Sequence, residues 1–114
     1  MNAEMRAFAW QGVERALAQL QLAPGVSCAI AIMVEARIEE SLPTIRSELS
    51  GAGIEVAAVE KKWWPFGRRW RIAAKAPARQ ITRSEVDSWL DGLERTLTRY
   101  DATVVGWVPL LPGA

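Results

Sequence analysis

The stretch VSCAIAIMV, residues 26–34, constrains the fold more than any other part of the sequence. Its even positions carry bulky apolar side chains, and its odd positions carry mostly small ones such as Ala29 and Ala31. Alternation with a period of two is typical of a β-strand, and apolar residues on both sides predict a central strand covered on both faces. The small alanines would let a helix, such as the first one, approach the second face closely.

Two further strands, over residues 54–62 and 69–76, are predicted to form a hairpin. Between them, Trp64-Pro65-Phe66-Gly67 has proline at the second turn position and glycine at the fourth, which suits a type I turn. Pro77 is expected to end the second of these strands, because proline cannot donate to a strand ladder. A last strand is predicted over residues 102–108.

Three segments have the three-and-four spacing of apolar residues that indicates amphipathic helices. The first covers residues 3–20 and can be capped by Asn2. The second either starts near Ser41 or is kinked at Pro43, because proline is tolerated only in a first helical turn. The third covers residues 82–100 and begins with capping-box and hydrophobic-staple spacing.

The order after the first helix is therefore β-α-β-β-α-β. It predicts an α+β protein of the ferredoxin-like kind, with two helices on one face of a four-stranded antiparallel sheet. The preference for right-handed crossovers places the first and third strands in the centre. We expect a single domain over residues 1–114, in which residues 3–20 are an extra N-terminal helix and residues 26–108 are the ferredoxin-like core.

The residue types that are missing exclude much chemistry. The chain has no histidine, which removes the commonest general base and most zinc sites. Its one cysteine, Cys28, excludes an internal disulfide, fits a reducing compartment and is expected to be buried. The carboxylate pairs at 87 and 91 and at 39 and 40 are typical of solvated faces. We predict a soluble, cytoplasmic protein that is not an enzyme, needs no cofactor or metal and does not enter a membrane.

Positive charge is concentrated in one segment. Residues 61–83 carry eight cations and no acid, although the formal net charge is only +1. Within it, KKWWPFGRRWR, residues 61–71, holds five cations and four aromatic rings. Strand alternation directs Trp70 and Ile72 toward the helices and Arg69 and Arg71 away from them. The candidate partner-binding residues are the basic and aromatic members of this hairpin: Lys61, Lys62, Trp63, Trp64, Phe66, Arg68, Arg69 and Arg71.

Several interpretations of the hairpin remain open. A structural one has cationic stems covering apolar surface. A second is a patch for a protein partner, since exposed tryptophan and arginine dominate protein interfaces. A third is an RNA-binding module, although an RNA-recognition motif needs aromatic residues on its first and third strands, and the first strand here has none. A small-molecule-binding regulatory domain is a further alternative, and it requires a pocket near the sheet face.

The second half of the sequence resembles the ribonuclease E inhibitor B family. The resemblance covers roughly residues 54–108 and rests on "RRWRIAAKA", on the capped helix that ends "LTRYD", and on "ATVVGWVP". The family's closing Tyr-Asp-Gly-Trp element is matched in residue type by Tyr100, Asp101, Gly106 and Trp107, with residues 102–105 inserted between its halves. The resemblance implies a ferredoxin-like fold and a non-catalytic protein inhibitor, and it implies no catalytic residues.

These observations favour a non-catalytic binding protein that inhibits or neutralises a protein partner, such as a nuclease or a toxin. A bacterial toxin-immunity protein fits the same description, because such proteins act through complementary charge and shape. A homodimer is a further possibility, formed through the face that carries Ala29 and Ala31 if the first helix does not cover it.

Overall fold

The computed structural model of this protein describes residues 2–64 and 67–113, with side chains at all of these positions except 63 and 64. Over this part of the chain, three α-helices and a four-stranded antiparallel sheet confirm the predicted α+β class. A short 3-10 turn, Glu39–Ser41, precedes the second helix. The elements in chain order are α1 (Ala3–Gln19), β1 (Ser27–Ala36), α2 (Leu42–Gly51), β2 (Glu55–Trp64), β3 (Gly67–Gln80), α3 (Arg83–Thr98) and β4 (Ala102–Pro109).

The sheet has the strand order β2-β3-β1-β4, and each neighbouring pair is antiparallel. The first and third strands lie in the centre, as the crossover rule predicts. Both outer strands contain a register shift: Ala57 is skipped where β2 pairs with β3, and Val105 is skipped where β4 pairs with β1. Such bulges bend an outer strand and increase its twist.

One side of the sheet carries the hydrophobic core. Along β1, burial alternates strictly, and Ile30 and Val34 are fully buried. The buried strand residues form one cluster with members of all three helices, including Trp10 of α1. Because all three helices contribute to this cluster, they lie on the same side of the sheet. We call the opposite side the open face; in the described part of the chain, no helix packs on it.

The first helix therefore does not lie where the alanines of β1 suggested. Trp10 of α1 packs edge-on against Trp107 of β4, with ring centroids 5.1 Å apart. This contact places α1 beside α3 on the helical side and leaves Ala29 and Ala31 on the open face. The expectation that β1 is covered on both faces is wrong for the described residues, because the apolar stripe of α1 is used to extend the core over β4.

Polar contacts join α1 to α3. Trp10 donates its indole N–H to Asp87 at 3.0 Å, and Arg6 pairs with Asp91 at 2.6 Å. Arg83, in the first turn of α3, pairs with Glu14 at 2.8 Å. The two aspartates that the sequence places one turn apart on α3 therefore hold the neighbouring helix.

The helix starts follow the sequence signals closely. Asn2 accepts a hydrogen bond from the Met5 N–H at 2.8 Å, as an N-cap does. Thr82 caps α3 in the same way, by accepting from the Glu85 N–H at 3.3 Å. Of the two alternatives for the second helix, a start near residue 41 is confirmed, because Pro43 lies in the first turn of α2.

The hairpin strands pair as predicted but are longer than expected. The prediction that Pro77 ends the third strand is wrong, since β3 continues to Gln80. Pro77 lies where the β1–β3 register shifts, so its missing N–H interrupts no regular ladder. The type I turn predicted for residues 64–67 includes positions 65 and 66, which lie outside the described residues. None of the helices in the described part of the chain has the length and apolarity that crossing a membrane requires.

Candidate functional site

The hairpin of β2 and β3 extends beyond the rest of the sheet. At this end, the last pair between β1 and β3 joins Ala36 to Trp70. Beyond that pair, β2 and β3 continue to pair with each other, residues 62–64 with residues 67–69. At about 3.3 Å per residue, this two-stranded segment projects by roughly 10 Å. We call residues 62–64 and 67–69 the arm.

The candidate partner-binding residues lie in the arm or next to it. Lys61 and Arg71 are at its base. Phe66 lies outside the described residues, and the side chains at 63 and 64 are likewise outside the described part of the structure. The candidate residues within the arm are Lys62, Trp63, Trp64, Arg68 and Arg69.

The cations of the hairpin are divided between the two faces of the ribbon. Residues that are paired across antiparallel strands share a face. Lys62 is opposite Arg69 on the open face, whereas Lys61 is opposite Trp70, whose side chain is buried in the core. The expectation that Arg69 and Arg71 face away from the helices is confirmed. The hairpin therefore presents positive charge in two directions.

Two acids lie beside these cations. Glu35 of β1 is 3.5 Å from Arg69 Nε and 3.6 Å from Arg71 Nε. Glu60 of β2 is 3.1 Å from Lys62 Nζ. These two acids offset part of the positive charge that the five cations of residues 61–71 carry. The hairpin is thus less strongly charged than its own sequence indicates.

The ion pairs mainly hold the charged side chains of the arm and its base in place, and they contribute little to the stability of the fold. Like charges directly opposite on a ribbon repel, as Lys62 and Arg69 do, and the neighbouring acids offset that repulsion. Partly exposed pairs of this kind contribute at most about 1 kcal/mol each. Inspection of the hairpin sequence alone misses Glu35, although the alternation of β1 and β3 contains the signal: Glu35 is directly opposite Arg71 in the register.

The side chains of Cys28 and Arg79 lie on the helical side of the sheet and have shifted pKa values. Burial raises the pKa of the Cys28 thiol, and a backbone hydrogen bond with Leu110 opposes this effect. The Arg79 guanidinium lies 4.0 Å from the ring centroid of Trp89, and burial lowers its pKa. Within residues 2–64 and 67–113, no three His, Cys, Asp or Glu side chains are grouped so as to hold a metal ion.

An open groove of about 580 Å³ separates α2 from α3. Its lining includes Leu49 and Gly51 from α2 and Trp89 and Leu93 from α3. The groove lies between two helices, whereas the small-molecule alternative requires a pocket near the sheet face.

Over the residues that the structure describes, fold and site together define an α+β protein with an uncovered sheet face and a projecting basic arm. No protein-family model and no characterised protein matches this chain. The arm and the open face are therefore the features that bear on its function.

Proposed function

We propose that this protein is a non-catalytic binding protein that inhibits or neutralises a partner protein, of the nuclease-inhibitor or toxin-immunity type. The arm is the contact element. One observation carries the proposal: in the described part of the chain, residues 62–64 and 67–69 form strand pairs only with each other and extend past β1, although they are among the most basic and aromatic of the sequence. A cytoplasmic location belongs to the proposal and fits a single, buried thiol.

The chemistry of the arm suits a protein surface with an acidic cleft. Arginine and tryptophan dominate binding energy when a partner covers them, because both combine a large apolar area with polar groups. The five cations of the arm and its base favour an acidic partner and speed the encounter. A narrow ribbon that projects by roughly 10 Å can enter a cleft that the body of the protein cannot.

We also propose that the fold is the ferredoxin-like arrangement, in a single domain to which α1 is added. The strand order β2-β3-β1-β4 and the placement of α2 and α3 on one side of the sheet support this assignment. The same arrangement is what the resemblance to the ribonuclease E inhibitor B family implies. The fold hosts many functions, so the inhibitor proposal rests on the arm.

The test compares two variants that carry the same change in charge. Lys61→Glu with Arg68→Glu alters exposed cations of the hairpin and leaves the pairs of Glu35 intact. Arg15→Glu with Arg46→Glu alters exposed cations of α1 and α2 and serves as the matched control. Each immobilised protein captures partners from lysate of the producing cell, with quantitative mass spectrometry as the readout. We expect one partner that the wild type and the control retain, and that the hairpin variant binds about tenfold or more weakly.

The captured partner then decides between inhibition and simple binding. A purified nuclease or toxin should lose its activity when one equivalent of the wild-type protein is added, and should keep it with the hairpin variant. Equal capture of the partner by all three proteins would contradict the proposal that the arm is the contact element. Captured material that consists of RNA, with binding that weakens steeply as salt rises, would favour the RNA-binding alternative instead.

A further inference from the structure

The open face has an apolar centre. In its central part, small residues surround Met33 of β1 and Val108 of β4, and Val108 is 60% exposed. Charged residues lie on both sides of this part: Glu35 meets Arg69 and Arg71 toward the arm, and Lys75, which is opposite Ala31 and Glu55, lies toward the other end. We call the following residues the central patch: Ala31, Met33, Ala58, Ala73, Gly106 and Val108.

We propose that the open face binds a second copy of this chain, in a symmetric dimer whose two-fold axis runs parallel to the strands between β1 and β3. In such an isologous interface each residue meets the symmetry mate of the residue it faces across the axis. Met33 and Ala73 are paired across β1 and β3. The axis therefore places Met33 of each copy over Ala73 of the other, a large side chain over a small one.

Near the arm, the charges on the face are complementary under the same axis. Glu35 is directly opposite Arg71 in the β1–β3 register. The two-fold places Glu35 of one copy over Arg71 of the other, and the reverse, so that this acid–base contact occurs twice in the dimer. A two-fold axis across the strands would instead bring the arm end of one sheet over the far end of the other, where Lys75 and Glu55 lie. Charge matching on the central strands favours the parallel axis.

The area of the face is sufficient for a stable dimer. Four strands spaced about 4.8 Å apart, each about ten residues long at about 3.3 Å per residue, span roughly 600 Å² per copy. Two such faces bury about 1,200 Å² or more, which is within the range of specific protein interfaces. Small residues in the central patch let the two sheets approach closely, as in aligned sheet packing.

This inference uses the central patch, Glu35 and Arg71, whereas the partner proposal uses the arm, so that the two are tested with different variants. The parallel axis sends both arms out from the same end of the dimer. The dimer would therefore present two basic ribbons side by side to a partner.

The first experiment measures molar mass by light scattering during gel filtration, over a range of protein concentrations. We expect the wild type to elute at about twice the chain mass of 12.6 kDa. Met33→Glu places two carboxylates in the centre of the interface and should give a monomer. Phe8→Glu, at a side chain of α1 that is 78% exposed on the far side, is the matched control and should stay dimeric. Circular dichroism verifies that each variant is folded.

The second experiment tests the axis itself. Glu35→Arg and Arg71→Glu each set like charges against each other in a homodimer, so each variant alone should be monomeric. A one-to-one mixture of the two variants brings the introduced arginine over the introduced glutamate, and native mass spectrometry should detect the heterodimer. Pairing within one chain cannot produce this rescue, because neither variant contains both changes.

Either experiment can overturn the proposal. A wild type that stays at the monomer mass at every concentration contradicts it, and so does a dimer that survives Met33→Glu. Failure of the mixture to form heterodimers, when both single variants are folded monomers, excludes the parallel axis. In all of these cases the capture experiment on the arm keeps its own result.

Discussion

At the scale of single residues, Trp10 does the most to define the molecule. Its side chain is only 3% exposed, and it packs on Trp107 while its N–H bonds to Asp87. The apolar spacing of α1 in the sequence identifies Trp10 as a core residue. The partners could not be predicted, because periodicity shows which side of a helix is buried and not what lies against it.

Replacement of Trp10 by alanine should lower the free energy of unfolding by about 3–5 kcal/mol, because a large buried side chain leaves a cavity. Phe8 of the same helix is 78% exposed. Phe8→Ala is the control and should change stability by no more than about 0.5 kcal/mol. Urea unfolding followed by circular dichroism measures both. Equal losses in the two variants would contradict the packing described for α1.

The candidate site shows the same limit at residue scale. The basic and aromatic composition of residues 61–71 is evident in the sequence, and so is the outward direction of Arg69 and Arg71. Glu35 is not evident there, because it comes from a distant strand and meets these arginines only through the β1–β3 register. Charge counted along the chain therefore overstates the charge of a folded surface.

At the scale of elements, local rules predict helices better than strand ends. Caps at Asn2 and Thr82 define two helix starts through hydrogen bonds within a few residues. The ends of β3 depend on its neighbours, since Pro77 is tolerated at a register shift and the arm is prolonged by pairing with β2. Such features are set by other strands and cannot be read from β3 alone.

Two glycines, Gly92 in α3 and Gly53 after α2, should respond to alanine substitution in opposite ways. Gly92 lies within α3, and a methyl group there would meet only the Arg95 side chain at 3.7 Å. Gly92→Ala should stabilise the protein by about 0.5–1 kcal/mol, because alanine favours the helix. Gly53 has a φ of +76°, and a methyl group there would lie 3.2 Å from Pro77 Cγ. Gly53→Ala should cost about 1–2 kcal/mol. Thermal unfolding of the two variants should therefore shift in opposite directions, and shifts of the same sign would contradict these backbone assignments.

At the scale of the whole molecule, a single core joins the layers. The α+β class and the central position of β1 and β3 were predictable, because the order of elements and the handedness of crossovers restrict the topology. The side of the sheet on which α1 lies was not predictable, since both faces of β1 are apolar in sequence. Packing across the whole fold determines whether the apolar stripe of α1 contacts Trp107 or the alanines of β1.

Because α1 shares that core, it should unfold together with the sheet. We expect unfolding curves from far-ultraviolet circular dichroism and from tryptophan fluorescence to coincide at a fixed protein concentration, as in a two-state transition. The concentration must be fixed because dimer formation stabilises the folded state by mass action. Loss of helical signal at a lower urea concentration than the fluorescence change would indicate that α1 detaches first.

The bulges in the two outer strands affect whether molecules of this protein pair edge to edge at high concentration. A strand added to a sheet edge needs an unbroken row of N–H and C=O groups, and Ala57 and Val105 interrupt that row on both sides. The charge of Lys61 and Lys62 further discourages pairing along β2. The bulges and charges thus disfavour edge-to-edge growth of sheets into filaments. Concentrated solutions of this protein should therefore form no fibres.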